Sequence, residues 1–132
     1  MSESQTYRPT AEEVRGDPKG YEKLEAQLDE LLTHLIEEAS EVIQACTKMR
    51  RFGPGGTDPR VQGGRCNHSA LAFELGQLSL VWEAINGLHV PLIRDSDVQE
   101  GRESKFEKLG RYLEHSRLEL RDGHVWTLGK LP

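Results

Sequence analysis

Two stretches of this chain carry an apolar stripe at steps of three and four residues. The first runs Leu28, Leu31, Leu35, then Glu38, then Val42, Ala45 and Met49. The second runs Leu71, then Glu74, then Leu78, Val81, Ile85 and Leu88. That spacing is one buried face of an α-helix, and in each stripe a glutamate holds a slot the pattern assigns to the core. A carboxylate taken out of water is costly without a partner or a metal, so the two positions are candidates for function.

Boundary signals divide the chain into helices. Thr10-Ala-Glu-Glu13 reads as a capping box for a short helix that Gly16 ends. Asp17-Pro18 reads as an N-cap and first-turn proline, opening a long helix that runs to about Phe52 and stops at Gly53-Pro-Gly-Gly56. Gly53 to Arg65 is rich in glycine and proline and is expected to be a flexible loop. Asn67 is the expected N-cap of a second helix to Asn86, closed by Gly87, and Pro91 interrupts the connection that follows. Asp95-Ser-Asp97 offers caps for a third helix over roughly Val98 to Leu118, with a weak stripe of Phe106, Leu109 and Leu113 joined by Tyr112. The tail from Arg117 to Leu128 alternates around Asp122-Gly123 as a small hairpin does.

The expected fold class is therefore all-α, an antiparallel helical bundle in a single domain over residues 1–132 with its core at about 18–118, and a possible small C-terminal hairpin. Three helices leave the glutamate-bearing stripe only partly covered, and Val81, Trp82 and Ile85 also need burial. Packing against a second copy would complete a four-helix core, so a homodimer or homotetramer is expected.

Composition narrows the class further. No apolar run approaches the ~20 residues a membrane span needs, and MSESQTYRPT has neither the basic start nor the apolar centre of a secretory signal. A net charge of −5 argues against a general nucleic-acid binder. Cys46 and Cys66 make no disulfide framework and are read as free thiols in a reducing cytoplasm. His68 follows Cys66 by two, but two further zinc ligands are not evident. His34, His89, His115 and His124 have no metal-ligand spacing and are read as structural or surface residues. Gly53-Pro-Gly-Gly-Thr-Asp-Pro59 is not a phosphate loop, because it lacks the Gly-Lys-Ser/Thr ending and a preceding strand.

The acidic residues form a constellation. Glu38 and Glu41 project from one side of the first helix with Glu37 flanking them, and Glu74 and Gln77 repeat the i, i+3 spacing on the second. If the stripes face each other, Glu38, Glu41 and Glu74 converge. Three carboxylates in one place repel unless a cation lies between them, and oxygen-only ligands select Mg²⁺, with Mn²⁺ possible. Magnesium is commonly bound together with substrate phosphates, which suggests a nucleotide or another phosphate ester. The alternative is structural: the glutamates pair with Lys48, Arg50, Arg51 or an arginine of the third helix. On that third helix Arg102, Lys105, Lys108 and Arg111 with Tyr112 recur at steps of three and four. They are candidates for holding phosphates, or else a solvated face balanced by Glu103, Glu107 and Glu114.

His34-Leu-Ile-Glu-Glu-Ala-Ser-Glu-Val-Ile-Gln-Ala45, followed by Phe73-Glu-Leu-Gly-Gln-Leu78, resembles the MazG-like nucleoside triphosphate pyrophosphohydrolases, especially short phage-type members. Lys105-Phe-Glu-Lys-Leu-Gly-Arg-Tyr-Leu-Glu-His115 is similar to the basic, tyrosine-containing helix of that all-α group, and the resemblance covers roughly Leu24 to Arg117. It implies a Mg²⁺-dependent cleavage of a nucleoside or deoxynucleoside triphosphate to monophosphate and pyrophosphate. Carried over by position, the metal ligands fall on Glu38, Glu41, Glu74 and Gln77, and either Glu37 or Glu41 positions the attacking water. Phosphate contact falls on Lys105, Lys108, Tyr112 and Arg102. Gln77 stands where the family has aspartate, and it supplies an oxygen but no charge. That departure keeps a second reading open, a non-catalytic or weakly active helical homologue of the same fold that binds nucleotide or a protein partner.

Overall fold

A computed structural model describes residues 18–57, 60, 63–88 and 93–129. The described chain is mostly helical: α1 (Pro18–Phe52), α2 (Asn67–Asn86) and α3 (Asp95–Tyr112) are followed by β1 (Leu118–Arg121) and β2 (His124–Thr127). Its contacts divide it into two units, Met1–Leu92 and Ile93–Pro132. The short helix expected from Thr10 to Gly16 and the Asp17 cap lie outside the described residues.

In the first unit α1 and α2 pack as an antiparallel pair. Asn67, at the start of α2, bonds to carbonyls at the end of α1, Glu74 meets Glu38 and Glu41, and Leu88 packs on Leu24 near the start of α1. Every member of the two stripes is buried or half-buried, the glutamates included. The core itself is thin. Among the described residues Leu24, Ala45 and Ile85 are the buried apolar ones, while Ile36, Ile43 and Leu80 are 70%, 66% and 67% exposed.

Of the loop expected to be flexible, the Gly53–Gly56 turn is tied down by backbone bonds, while residues 58–59 and 61–62 lie outside the described residues. Gly53, at φ 85°, donates its amide to the Met49 carbonyl, and the Gly56 amide reaches the Gly53 carbonyl. A side chain on Gly56 would place its Cβ 2.2 Å from the Phe52 carbonyl oxygen, so only glycine fits there. This turn then receives the next helix: the amides of Asn67 and His68 donate to the carbonyls of Gly56 and Pro54, at 2.8 and 2.9 Å. Two of the orphan donors at the α2 N-terminus are thereby satisfied by backbone.

Asn67 consequently does not cap its own helix. Cys66 occupies the cap position without a side-chain bond. The Asn67 side chain is buried and donates to the carbonyls of Gly53 (2.9 Å) and Lys48 (3.4 Å), pinning the end of α1 to the start of α2. Gly87 closes α2 as expected, at φ −87° and with its amide on the Glu83 carbonyl.

In the second unit α3 begins and ends earlier than the pattern predicts, at Asp95 and Tyr112. Asp95 and Asp97 lie in its first turn, where carboxylates oppose the helix dipole, and Arg94 pairs with Asp97 at 2.9 Å. Leu113 leaves the helix in an extended conformation because the chain beyond it is engaged by the hairpin. Arg117 exchanges backbone bonds with Gly129 and Leu128. The strands pair antiparallel from Leu118 opposite Thr127 to Arg121 opposite His124, about a two-residue turn with Asp122 and Gly123 at φ 50° and 78°. Leu109 and Leu113 are half-buried, but Tyr112 is 74% exposed and does not belong to the apolar stripe. Among the described residues no helix is long and apolar enough to cross a membrane.

Candidate metal centre

The two stripes face each other, and this brings Glu38 and Glu41 of α1 to Glu74 of α2. One carboxylate oxygen from each lies within 4.8 Å of the others. Glu38 and Glu41 are one turn apart on the same side of α1, and the antiparallel packing sets Glu74 opposite them. Glu38 and Glu74 are half-buried at the seam, while Glu41 opens to solvent.

Two of the carboxylate oxygens are unusual. Oε2 of Glu38 and Oε2 of Glu74 are shielded from water and have no hydrogen-bond partner. A buried oxygen with no donor forfeits its hydration without compensation. The Glu74 carboxyl accordingly titrates above its ordinary value. Burial is the main cause, followed by a hydrogen bond with Glu41 that holds the protonated form, then the charges of Glu41 and Glu38; the Lys48 ammonium opposes the rise. Two of its oxygens are left without a donor.

A divalent cation fits that deficit. The donors are all carboxylate oxygens, which suits a hard ion, and the two unpartnered oxygens point to coordination that protein groups do not supply. Glu38, Glu41 and Glu74 would hold it. Gln77, one turn beyond Glu74, is exposed.

Glu37 stands outside the trio. Its carboxylate faces His34 Nδ1 at 3.6 Å, and its carbonyl accepts from Ser40 Oγ at 2.7 Å. The helical periodicity that turns Glu38 inward turns its neighbour out. Lys48, a pairing candidate by spacing, acts on Glu74 through its charge, while Oε2 of Glu38 and Oε2 of Glu74 keep no hydrogen-bond partner.

Arg102, Lys105, Lys108 and Tyr112 are all exposed residues of α3, in the second unit. Arg102 and Lys105 border a pocket of about 210 Å³ floored by Phe106, Leu109, Leu118 and Val125, where the helix covers the hairpin. Arg111 is engaged with Glu107 one turn back. Cys66 Sγ and His68 Nε2 lie 3.2 Å apart at the start of α2. Asn67, read as a cap, instead joins the helices; its burial among polar backbone has no signature in local spacing.

No protein-family model, no curated protein and no solved structure matches this chain.

Proposed function

We propose that the chain is a Mg²⁺-dependent nucleotide pyrophosphohydrolase that cleaves a nucleoside or deoxynucleoside triphosphate to the monophosphate and pyrophosphate. The observation that carries this reading is the convergence of Glu38, Glu41 and Glu74 with two buried, unpartnered oxygens. The resemblance of the surrounding motifs to MazG-like enzymes supplies the reaction class. A Mg²⁺ or Mn²⁺ ion bound there would orient the phosphates and offset the charge that grows on the leaving group.

The protein groups divide the remaining work. Glu38 and Glu74, fixed at the helix seam, hold their oxygens in place at the cost of desolvation. Glu41 is the one exposed member and stands where a water can be positioned and its proton accepted. Glu37 is occupied with His34, so we assign the water to Glu41. Oxygen from that water bonds to the α-phosphorus, the bond to the β-phosphate oxygen breaks, and pyrophosphate leaves with the electron pair. Arg102, Lys105, Lys108 and Tyr112 remain the proposed phosphate contacts from α3.

We also propose that two copies pair through the helical unit, as a dimer or a dimer of dimers. The exposed Ile36, Ile43 and Leu80, in a unit whose described residues include three buried apolar ones, support this.

Gln77 favours the second reading, a homologue that binds nucleotide or a protein partner with little or no turnover. Pyrophosphate release from the common ribo- and deoxyribonucleoside triphosphates, with Mg²⁺, Mn²⁺ or chelator, separates the two. The first reading expects equimolar pyrophosphate and monophosphate that chelator abolishes. Absence of turnover from folded protein with either metal would leave the second.

A further inference from the structure

Beyond the carboxylates, the same flank of α1 changes sign. Steps of three and four from Glu41 lead to Gln44, Lys48 and Arg51. These residues, with Ile43, Phe52 and Arg60 of the following loop, line an open cavity of about 300 Å³ in the first unit. Acidic residues outnumber basic ones by 22 to 17 in the chain, yet among the described residues this wall holds three cations and no carboxylate. The Arg51 guanidinium lies over the Phe52 ring, 5.3 Å from its centre and within cation–π range. Lys48 belongs to both regions, since it lines the cavity and its charge reaches Glu74. Glu41 and Lys48 are seven residues apart, about 10 Å along the helix.

An acidic metal centre continued by a cationic cavity is suited to a ligand whose anionic groups run in a row. We propose that the cavity receives the outer phosphates of the substrate, with Lys48 nearest the metal-held phosphate and Arg51 and Arg60 on the terminal ones. This rests on the reading of the carboxylates as a site for a phosphate ester. The same cations would stabilise the pyrophosphate as it departs with its electron pair. The unit that carries the carboxylates thus has phosphate contacts of its own, besides those proposed on α3.

The test is calorimetric titration of inorganic pyrophosphate into the full-length protein in EDTA, so that binding does not depend on the metal centre. Wild type, Arg51→Gln, Arg60→Gln and Arg51→Lys are compared, with helical circular dichroism confirming the fold and a parallel Mn²⁺ titration reading the carboxylates. Loss of one charge-assisted contact weakens binding about tenfold. We expect that loss in Arg51→Gln and in Arg60→Gln, a smaller loss in Arg51→Lys, and unchanged Mn²⁺ affinity. Arg60 lies off the helices, so its variant reads the cavity even if a change at Arg51 perturbs α1. Pyrophosphate affinity within twofold of wild type in both glutamine variants, or no binding by wild type, overturns the cavity. Loss of Mn²⁺ binding alone would overturn the carboxylate reading and leave the cavity standing.

Discussion

Replacing Glu74 with glutamine should stabilise the metal-free protein. Two unit charges 4.8 Å apart, the separation that bounds the carboxylate trio, repel by about 3.5 kcal/mol at an effective dielectric constant near 20. Glu74→Gln removes two of the three such pairs and the desolvation of one charge. The relief has a ceiling. Glu74 can escape repulsion by keeping its proton, and at pH 7.5 that costs it at most about 4 kcal/mol relative to an ordinary carboxyl. Glu41 is open to solvent and Lys48 offsets part of the repulsion, so a net gain of about 1–2 kcal/mol is expected after screening. For a chain of this length that is a rise in Tm of about 4–8 °C.

The pH dependence follows from the direction of the Glu74 shift. The unfolded chain ionises Glu74 at the ordinary value and the folded chain at a higher one. Between the two the folded state holds the extra proton, so stability falls as pH rises through that window. The penalty is absent below the ordinary value and complete above the raised one. Thermal melts in EDTA, followed by circular dichroism at 222 nm, should show wild type losing stability relative to Glu74→Gln from mildly acidic to neutral pH. Mg²⁺ at ten times its dissociation constant adds about 1.4 kcal/mol to wild type and little to the variant, closing the gap. A lower Tm for Glu74→Gln in EDTA at pH 7.5 would refute the reasoning, because it would make the carboxylate a net stabilising partner.

Three other outcomes are expected. Asn67→Ala removes the bonds to the Gly53 and Lys48 carbonyls and should cost about 1–3 kcal/mol in urea unfolding; a cost below about 0.5 kcal/mol would show that the bonds do not hold α1 to α2. Gly56→Ala sets a methyl group against the Phe52 carbonyl and should lower stability by about 2 kcal/mol or more, whereas Gly55→Ala, with open space around it, should be tolerated far better in the same unfolding series. Gln77→Asp adds a charged oxygen one turn from Glu74 and should tighten divalent metal binding and raise pyrophosphate release, read by metal titration and turnover together; unchanged values in both would place Gln77 outside the centre.

Much of the first unit was legible in sequence because its packing is periodic. The stripes that place Glu38 and Glu74 in core slots describe the seam between α1 and α2, and the convergence with Glu41 follows from setting the stripes face to face. The hairpin was legible for a local reason: Asp122-Gly123 accepts the two positive φ values its turn requires. What escaped depends on distant partners. Asn67 has the composition of a cap, but the backbone of the Gly53–Gly56 turn satisfies the α2 amides and frees its side chain for α1. The C-terminus of α3 was misplaced because Arg117 pairs with Gly129, a contact that no local propensity encodes. Tyr112 has apolar character and near-helical spacing from Phe106 and Leu109, yet the helix ends there and leaves it to solvent. The separation of Glu37 from Glu41 likewise needed side-chain positions. By contrast, Gln44, Lys48 and Arg51 lie in plain order along α1, and the cavity they line gives the two cations a shared address.

The proposed hydrolysis depends on the trio of carboxylates holding a divalent cation. Mn²⁺ titration followed by electron paramagnetic resonance, on the full-length protein at neutral pH, tests this directly. The expected result is saturable binding by wild type, weakened at least tenfold in Glu38→Gln and in Glu74→Gln while both stay folded. No saturable Mn²⁺ binding by folded wild type, or binding that neither substitution weakens, would contradict it.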